Sequence, residues 1–401
     1  MKGSELKILC LNGYKIDPNK YIDAIKAAHK YIKSIDYNEY SKQMPSLCNA
    51  SNNELMSKKE VKDFCQNLQE NLARQNLNIT DNTFFDLLFH GNIEDGKHII
   101  EITERASCYT EDLICSLNET FGVKKFSVMS CHGGEASSDL IESLRDIDGN
   151  KFPEGISVST YVEPQQSAWI YLGEDTMLHS LRNITKYFEN NPAAELPAIV
   201  RFAQDLLHDH EMSAYSEITK DGYIQYKSSP LFTVQNIEKW VNEFKENPDN
   251  FSFKSVIENY LTEEKEKLIE AFKIGHPESN IDTFNALKAL KDTTLTHNEY
   301  QHFVLGRLVY RASVTEEQET LEYKELFKDF LNLLGSQGID FEADLNNDPT
   351  DGITPAKLFF NSISIWEEKF WFSDILQSYL DNKKENDACI CGVTSDYNEI
   401  I

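Results

Sequence analysis

Two side chains that together can perform nucleophilic chemistry, His90 and Cys131, each follow an apolar run typical of a buried β-strand. His90 follows residues 84–89 (FFDLLF), and Cys131 follows residues 126–130 (FSVMS). A thiolate can attack an acyl carbon, and an imidazole can take and return the proton that acyl transfer requires. The pair therefore predicts a Cys–His site for acyl transfer, if the two strands end at the same place.

The strands that carry these residues belong to an alternation of strands and helices that runs to about residue 175. Residues 6–11 (LKILCL) begin it as a short apolar strand, and a hairpin and the helix 110–121 separate the two reactive residues. This alternation is typical of a mostly parallel sheet with helices on its faces. Because parallel strands end at one edge of a sheet, we expect His90 and Cys131 to lie at the same edge.

Small residues follow both reactive side chains. Gly91 follows His90, and Gly133 and Gly134 lie just beyond Cys131. Since glycine has no Cβ, a substrate backbone can approach closely at these positions. The backbone N–H groups of Gly91 and Cys131 are candidate donors to the oxyanion of acyl transfer. The alternative interpretation is structural, with Cys131 as a small buried apolar residue and His90 as a hydrogen-bonded loop histidine.

The two motifs resemble those of the caspase-like cysteine peptidases, a clan that includes legumain, clostripain, gingipain, separase and self-cleaving toxin domains. In that clan an apolar strand ends in His-Gly, a small hairpin and a helix follow, and a second apolar strand ends in the nucleophilic cysteine. Residues 84–91 and 126–134 match both blocks in this order, and the resemblance covers about residues 6–175. It implies a caspase-like α/β fold, with Cys131 as nucleophile, His90 as acid and base, and no cofactor.

Further residues near the predicted edge are candidate substrate contacts. They are Asn12, His132, Gly133, Gly134, Glu135 and Glu163. The acidic members, with Asp139 and a net charge of −27, favour a basic residue at the scissile bond. Met129-Ser130 stands where caspases have Gln-Ala, so the specificity of no single subfamily can be carried over.

The sequence predicts no metal site. His208 and His210 are two positions apart on a predicted helix, so their side chains point in different directions. The CxC motif at Cys389 and Cys391 has no second pair of cysteines elsewhere. We interpret His98, in the hairpin after the first motif, as a structural residue.

After about residue 175 the sequence predicts mostly helices, interrupted by a hairpin at residues 223–234. One segment, residues 325–380, resembles an ankyrin unit because Thr354-Pro355 follows a turn and opens a helix. An irregular helical bundle is the alternative. The predicted domains are a peptidase domain at residues 1–180, a helical domain at residues 181–385 and a flexible tail at residues 386–401.

Charge and composition limit the partners. The chain has 39 Lys and Arg against 66 Asp and Glu, which opposes binding to nucleic acid or to an anionic membrane. No apolar run approaches the roughly 20 residues that span a bilayer, and no N-terminal secretion signal is apparent. Eight cysteines spread along a large chain favour a reducing compartment. We expect a cytoplasmic protein or a bacterial effector delivered into a host cell.

Together these features predict a cysteine endopeptidase that cleaves protein or peptide substrates, or itself, through an acyl-enzyme. One alternative is an inactive caspase-like scaffold that binds a protein partner, such as a host protein, through its helical half. Another is a different thiol-based acyl transfer at the same residues, such as deamidation or transamidation.

Overall fold

A computed structural model gives the fold of most of the chain. It describes residues 8–12, 32–36, 54–74, 76, 79, 83–103, 106–130, 154–160, 196–208, 214–220, 222–276, 281–290, 293–297, 299–301, 303–305, 308, 321–341, 375 and 378–382. Most of the segment that resembles an ankyrin unit, residues 342–374, lies outside this set.

The described elements alternate between strands and helices in the first half and are mainly helical in the second. The strands are β1 (Ile8–Asn12), β2 (Ile32–Asp36), β3 (Glu54–Leu55), β4 (Phe84–Leu88), β5 (His90–Glu94), β6 (Lys97–Thr103), β7 (Ala106–Tyr109), β8 (Lys125–Met129), β9 (Ser157–Thr160), β10 (Ala214–Thr219) and β11 (Gly222–Lys227). The helices are α1 (Lys58–Arg74), α2 (Thr110–Phe121), α3 (Ala198–His208), α4 (Val234–Glu246), α5 (Phe253–Gly275), α6 (Ile281–Lys288) and α7 (Leu321–Ser336).

Seven strands form one sheet in the order β11-β10-β9-β8-β4-β1-β2. The pairs β2–β1, β1–β4, β4–β8 and β8–β9 are parallel, and β9–β10 and β10–β11 are antiparallel. The sheet is therefore mostly parallel, and with the helical region it confirms the predicted mixed α/β fold class.

Strand β4 lies inside the sheet, between β8 and β1, and all five of its residues are buried. Phe85 and Leu87 face the core that contains α1 and α2, whereas Phe84 and Leu88 face the core that contains α3. Successive strand residues point to opposite faces, so a strand covered on both faces must be apolar throughout. Asp86 is the exception to this rule.

A buried ion pair satisfies Asp86. Its two carboxylate oxygens accept hydrogen bonds from the Arg201 guanidinium of α3 at 2.8 and 2.7 Å. Asp205, one turn later on α3, lies 3.9 Å from Arg201 Nε, and all three residues are at most 2% exposed. This bidentate pair joins α3 to the strand that leads to His90.

Helices α1 and α2 cover the other face of the sheet. Val61, Phe64, Leu68 and Leu72 are buried along α1 at the spacing of an amphipathic helix. Helix α2 spans the predicted residues and ends at Gly122, whose φ of 71° is the left-handed conformation that terminates many helices. Strand β8, which leads to Cys131, begins three residues after Gly122.

A second sheet, of four strands in the order β3-β7-β6-β5, follows directly from β4. Only Phe89 separates the end of β4 from the start of β5 at His90. Phe89 is 1% exposed and packs in the α1 and α2 core, so a buried side chain anchors this change of sheet.

The chain divides into two compact units. The first comprises residues 1–229, 261–293 and 348–352, and it includes β10 and β11, which lie beyond the predicted boundary at residue 180. These two strands form the hairpin at residues 214–227, so the predicted position is wrong: of the predicted residues 223–234, only residues 223–227 lie in a strand.

The second unit comprises residues 230–260, 294–347 and 353–401. Its described core is aromatic: Trp240 of α4 lies 5.1 Å from Phe253, and Phe232 lies 5.7 Å from Phe330 of α7, measured between ring centroids. Across the helices that the structure describes, none is both long and apolar enough to cross a membrane.

Candidate functional site

The ends of β4 and β8 form the edge of the sheet to which the sequence assigns the site. Leu88 at the end of β4 pairs with Met129 at the end of β8. The Phe89 N–H then donates to the Met129 carbonyl at 3.3 Å. His90 follows Leu88 by two residues, and Cys131 follows Met129 by two residues. The two sequence motifs therefore start from one paired position on neighbouring parallel strands.

His90 begins β5 and is exposed to solvent. Its backbone pairs with Glu101 of β6, and the following Gly91 pairs with Ile100. The histidine is thus held by the second sheet, immediately beyond the edge of the first. An exposed imidazole in a paired strand is accessible to a substrate and has a defined backbone position.

A second histidine, His98 of β6, is buried beneath this edge. Its Nδ1 lies 2.6 Å from the Thr110 hydroxyl, and its Nε2 lies 3.2 Å from the Ser130 hydroxyl. The three residues are 3%, 1% and 2% exposed, respectively. A Ser–His contact resembles a nucleophile and its base, but burial of both groups prevents a substrate from reaching the serine. Ser130 is therefore not placed to attack a substrate.

Three different elements supply the buried cluster. His98 lies on β6, Thr110 is the first residue of α2, and Ser130 directly follows β8. The sequence interpretation of His98 as structural did not include the contact with Ser130. Alternation could have predicted that His98 is buried, since it shares the strand spacing of the buried Ile100 and Ile102, but it could not have predicted the contact with Ser130.

Two ion pairs surround the start of α2. Lys97 Nζ lies 2.8 Å from Glu111 Oε1, and Lys58 Nζ lies 3.4 Å from Asp112 Oδ1. The hydrogen bond to Glu111 raises the pKa of Lys97, and burial raises the pKa of Asp112 despite the nearby Lys58. Glu111 and Asp112 lie in the first turn of α2, where the helix dipole favours acidic side chains.

The described cysteine side chains lie in the core, as Cys65 and Cys108 do, or pack against it, as Cys115 does. Burial raises the pKa of the Cys65 thiol to about 12, and that of Cys115 to about 12. Burial also raises the pKa of Cys108 well above its ordinary value. Thiols react as thiolates, so these three cysteines are poor nucleophiles at neutral pH.

Most of the other predicted site residues lie outside the described part of the chain. These are Cys131, His132, Gly133, Gly134, Glu135 and Glu163. The backbone of Asn12 is described: it ends β1 and pairs with Leu88, at the same level of the sheet as Met129. The structure thus brings Asn12, His90 and Ser130 to one edge of the sheet. Within the described ranges, no group of three or more His, Cys, Asp or Glu side chains is arranged to hold a metal ion.

Comparison with known proteins adds no family to this picture. No protein-family model matches the sequence, and searches of curated proteins and of solved structures found no match.

Proposed function

We propose that this protein is a cysteine endopeptidase with a caspase-like fold, in which Cys131 is the nucleophile and His90 is the acid and base. The observation that carries the proposal is the in-register parallel pairing of β4 with β8, which ends at Leu88 and Met129. The exposed position of His90 supports it, because a catalytic base must be accessible to the substrate.

The proposed reaction is acyl transfer in two steps. The Cys131 thiolate attacks the carbonyl carbon of the scissile peptide bond, and the N–H groups of Gly91 and Cys131 donate to the oxyanion. His90 gives a proton to the leaving amine, and the C–N bond breaks to leave a thioester on Cys131. Water then attacks the thioester while His90 takes its proton, and the C–S bond breaks, which releases the carboxylic acid product and restores the Cys131 thiolate beside protonated His90.

The proposed substrate is a protein or peptide with a basic residue before the cleaved bond. A net charge of −27 attracts cationic segments, and Glu135 and Glu163 are the acidic residues that the sequence assigns to the edge. Because its nucleophile must stay reduced, we propose that the enzyme works in the cytoplasm, of its own cell or of a host cell that it enters.

Cleavage of proteins in a cell lysate tests this function. Wild type, Cys131→Ala and His90→Ala are each incubated with lysate, and new N-termini are identified by mass spectrometry. Cys115→Ala is the matched control, since it removes a core thiol with a raised pKa. We expect new N-termini with wild type and the control, and none with the other two variants.

Persistence of the new N-termini with Cys131→Ala would overturn the proposal. A cellular effect that survives Cys131→Ala would instead favour the partner-binding scaffold. Product masses differing by an amide-to-acid change, without chain cleavage, would identify deamidation. Circular dichroism of each variant separates loss of chemistry from loss of fold.

A further inference from the structure

We propose that His98 is a positioning residue: it holds Ser130, and with it the end of β8, at a fixed distance from the strand that carries His90. This inference rests on the proposed function, because Ser130 directly precedes the proposed nucleophile Cys131. Neither the motifs nor the resemblance assigns such a role to His98.

The imidazole of His98 is bonded at both of its nitrogens. His98 contacts a hydroxyl with each ring nitrogen, Thr110 at 2.6 Å and Ser130 at 3.2 Å. In a neutral imidazole one nitrogen donates and the other accepts, and a hydroxyl can do either. Either tautomer therefore satisfies both contacts, so the bridge forms without a charge in the core.

Packing alone does not require histidine at position 98. A fully buried imidazole loses its hydrogen bonds to water, and each loss is costly unless the protein replaces it. An apolar side chain would fill the same space without that cost. The histidine is instead bonded at both nitrogens, as expected of a buried polar group that specifies one arrangement of its neighbours.

Strand β6 contacts both His90 and Ser130, the residues that flank the proposed site. Its backbone pairs with β5, where Glu101 lies opposite His90 and His98 lies opposite Ile93. Its His98 side chain reaches Ser130 at the end of β8. One strand thus holds the proposed base through main-chain pairing and the residue before the proposed nucleophile through a side chain.

A site held in this way loses rate when the bridge is removed, because misplacement of reacting groups by about 1 Å can cost about a hundredfold. We expect Ser130→Ala and His98→Leu to lower kcat for peptide cleavage about tenfold to a hundredfold, with KM nearly unchanged. Thr110→Val should have a smaller effect in the same direction, since it removes the support of the imidazole rather than its contact with β8.

Two variants separate positioning from packing. In His98→Gln the amide occupies the region of Nε2 and can still bond Ser130, so we expect it to recover much of the kcat that His98→Leu loses. Ser127→Ala is the matched control on the same strand. The Ser127 side chain is fully buried, and its hydroxyl forms no hydrogen bond with any described residue. We expect the kcat of Ser127→Ala to equal that of wild type.

Alkylation of Cys131 by iodoacetamide, followed by mass spectrometry across pH, gives a readout that a purely structural role would not move. We expect the midpoint of the pH–rate profile to rise in Ser130→Ala and His98→Leu, and to stay in place in Ser127→Ala. Hydrogen exchange across residues 126–130 should be faster in Ser130→Ala than in Ser127→Ala.

The two proposals fail in different ways. If wild type cleaves through Cys131 but Ser130→Ala and His98→Leu cleave as fast as Ser127→Ala, the positioning role is overturned and the proposed function stands. If wild type shows no cleavage that depends on Cys131, the proposed function is overturned. Alkylation and hydrogen exchange then test the positioning role. If Ser130→Ala and Ser127→Ala have the same alkylation midpoint and the same rate of hydrogen exchange across residues 126–130, the positioning role is also overturned.

Discussion

The buried ion pair between Asp86 and Arg201 makes a quantitative prediction about the strand that leads to His90. Asp86 lies in the middle of β4, and both of its oxygens are bonded by a guanidinium that is 2% exposed. The perturbations are Arg201→Leu, Asp86→Leu and the double variant. Each variant replaces one or both charged groups with an apolar side chain.

The two single variants remove opposite members of the buried ion pair. Arg201→Leu leaves the carboxylates of Asp86 and Asp205 in the core without this cation, whereas Asp86→Leu leaves Arg201 near Asp205, 3.9 Å from its Nε. Removing one member of a buried ion pair lowers the free energy of unfolding by about 3–5 kcal/mol. We therefore expect a loss near the upper end of this range for Arg201→Leu and near the lower end for Asp86→Leu. The double variant should cost less than the sum of the two, with a coupling of about 3 kcal/mol.

Urea unfolding of the full chain at pH 7, followed by circular dichroism, measures these losses in the free energy of unfolding. Lys62→Ala is the matched control, since Lys62 forms a 2.9 Å ion pair with Glu119 in which both side chains are more than half exposed. Exposed pairs contribute little, so we expect no measurable loss. Equal losses for Arg201→Leu and Lys62→Ala, or strict additivity in the double variant, would refute the reasoning.

Three further predictions concern other parts of the first unit. The hydrogen bond to Glu217 raises the pKa of His276 above 6.5, so its stabilising contribution is complete below pH 6.5 and is lost as pH rises through the folded value. The difference in unfolding free energy between wild type and His276→Gln should therefore shrink from pH 6 to pH 8, and a constant difference would contradict this. Native alkylation should modify Cys131 before Cys108, whose pKa is raised by burial; peptide mapping that finds Cys108 first would contradict this. Gly122→Ala should cost roughly 1–2 kcal/mol in urea unfolding because its φ is 71° with nothing within 4 Å of the added Cβ, and an unchanged midpoint would contradict this.

The sequence predicted those helices and strands in which apolar residues recur at a regular spacing. The bounds of α2 follow from apolar residues at helical spacing and from the stop at Gly122. Strand β10 was not predicted, because its sequence AYSEIT mixes polar and apolar residues without clear alternation. Its place in the sheet depends on pairing with β9 and β11, which a window of sequence does not contain.

The sequence predicted the strand pairing that positions the candidate site, but it did not predict the buried contacts that support that pairing. The two strand-end motifs predicted that β4 and β8 are parallel neighbours, and the structure pairs them. The contact between His98 and Ser130 joins different sheets across 32 positions, and Arg201 reaches Asp86 across 115. Such pairs carry no local signal, because each partner alone resembles any buried polar residue. The role of Cys131 stays a prediction.

Two buried polar contacts on opposite faces of the sheet also fix its register: His98 with Ser130 on one face, and Arg201 with Asp86 on the other. Phe126, Val128 and Ser130 share the α2 side of β8, while Met129 packs on the α3 side. A slip of β8 by one residue would exchange these faces and carry the Ser130 hydroxyl away from His98. The imidazole would then lose a partner inside the core, at a cost of about 1–3 kcal/mol, while Asp86 holds β4 in place through α3. A site built on the paired ends of two strands requires this constraint, because a slip would separate the residues that follow Leu88 and Met129.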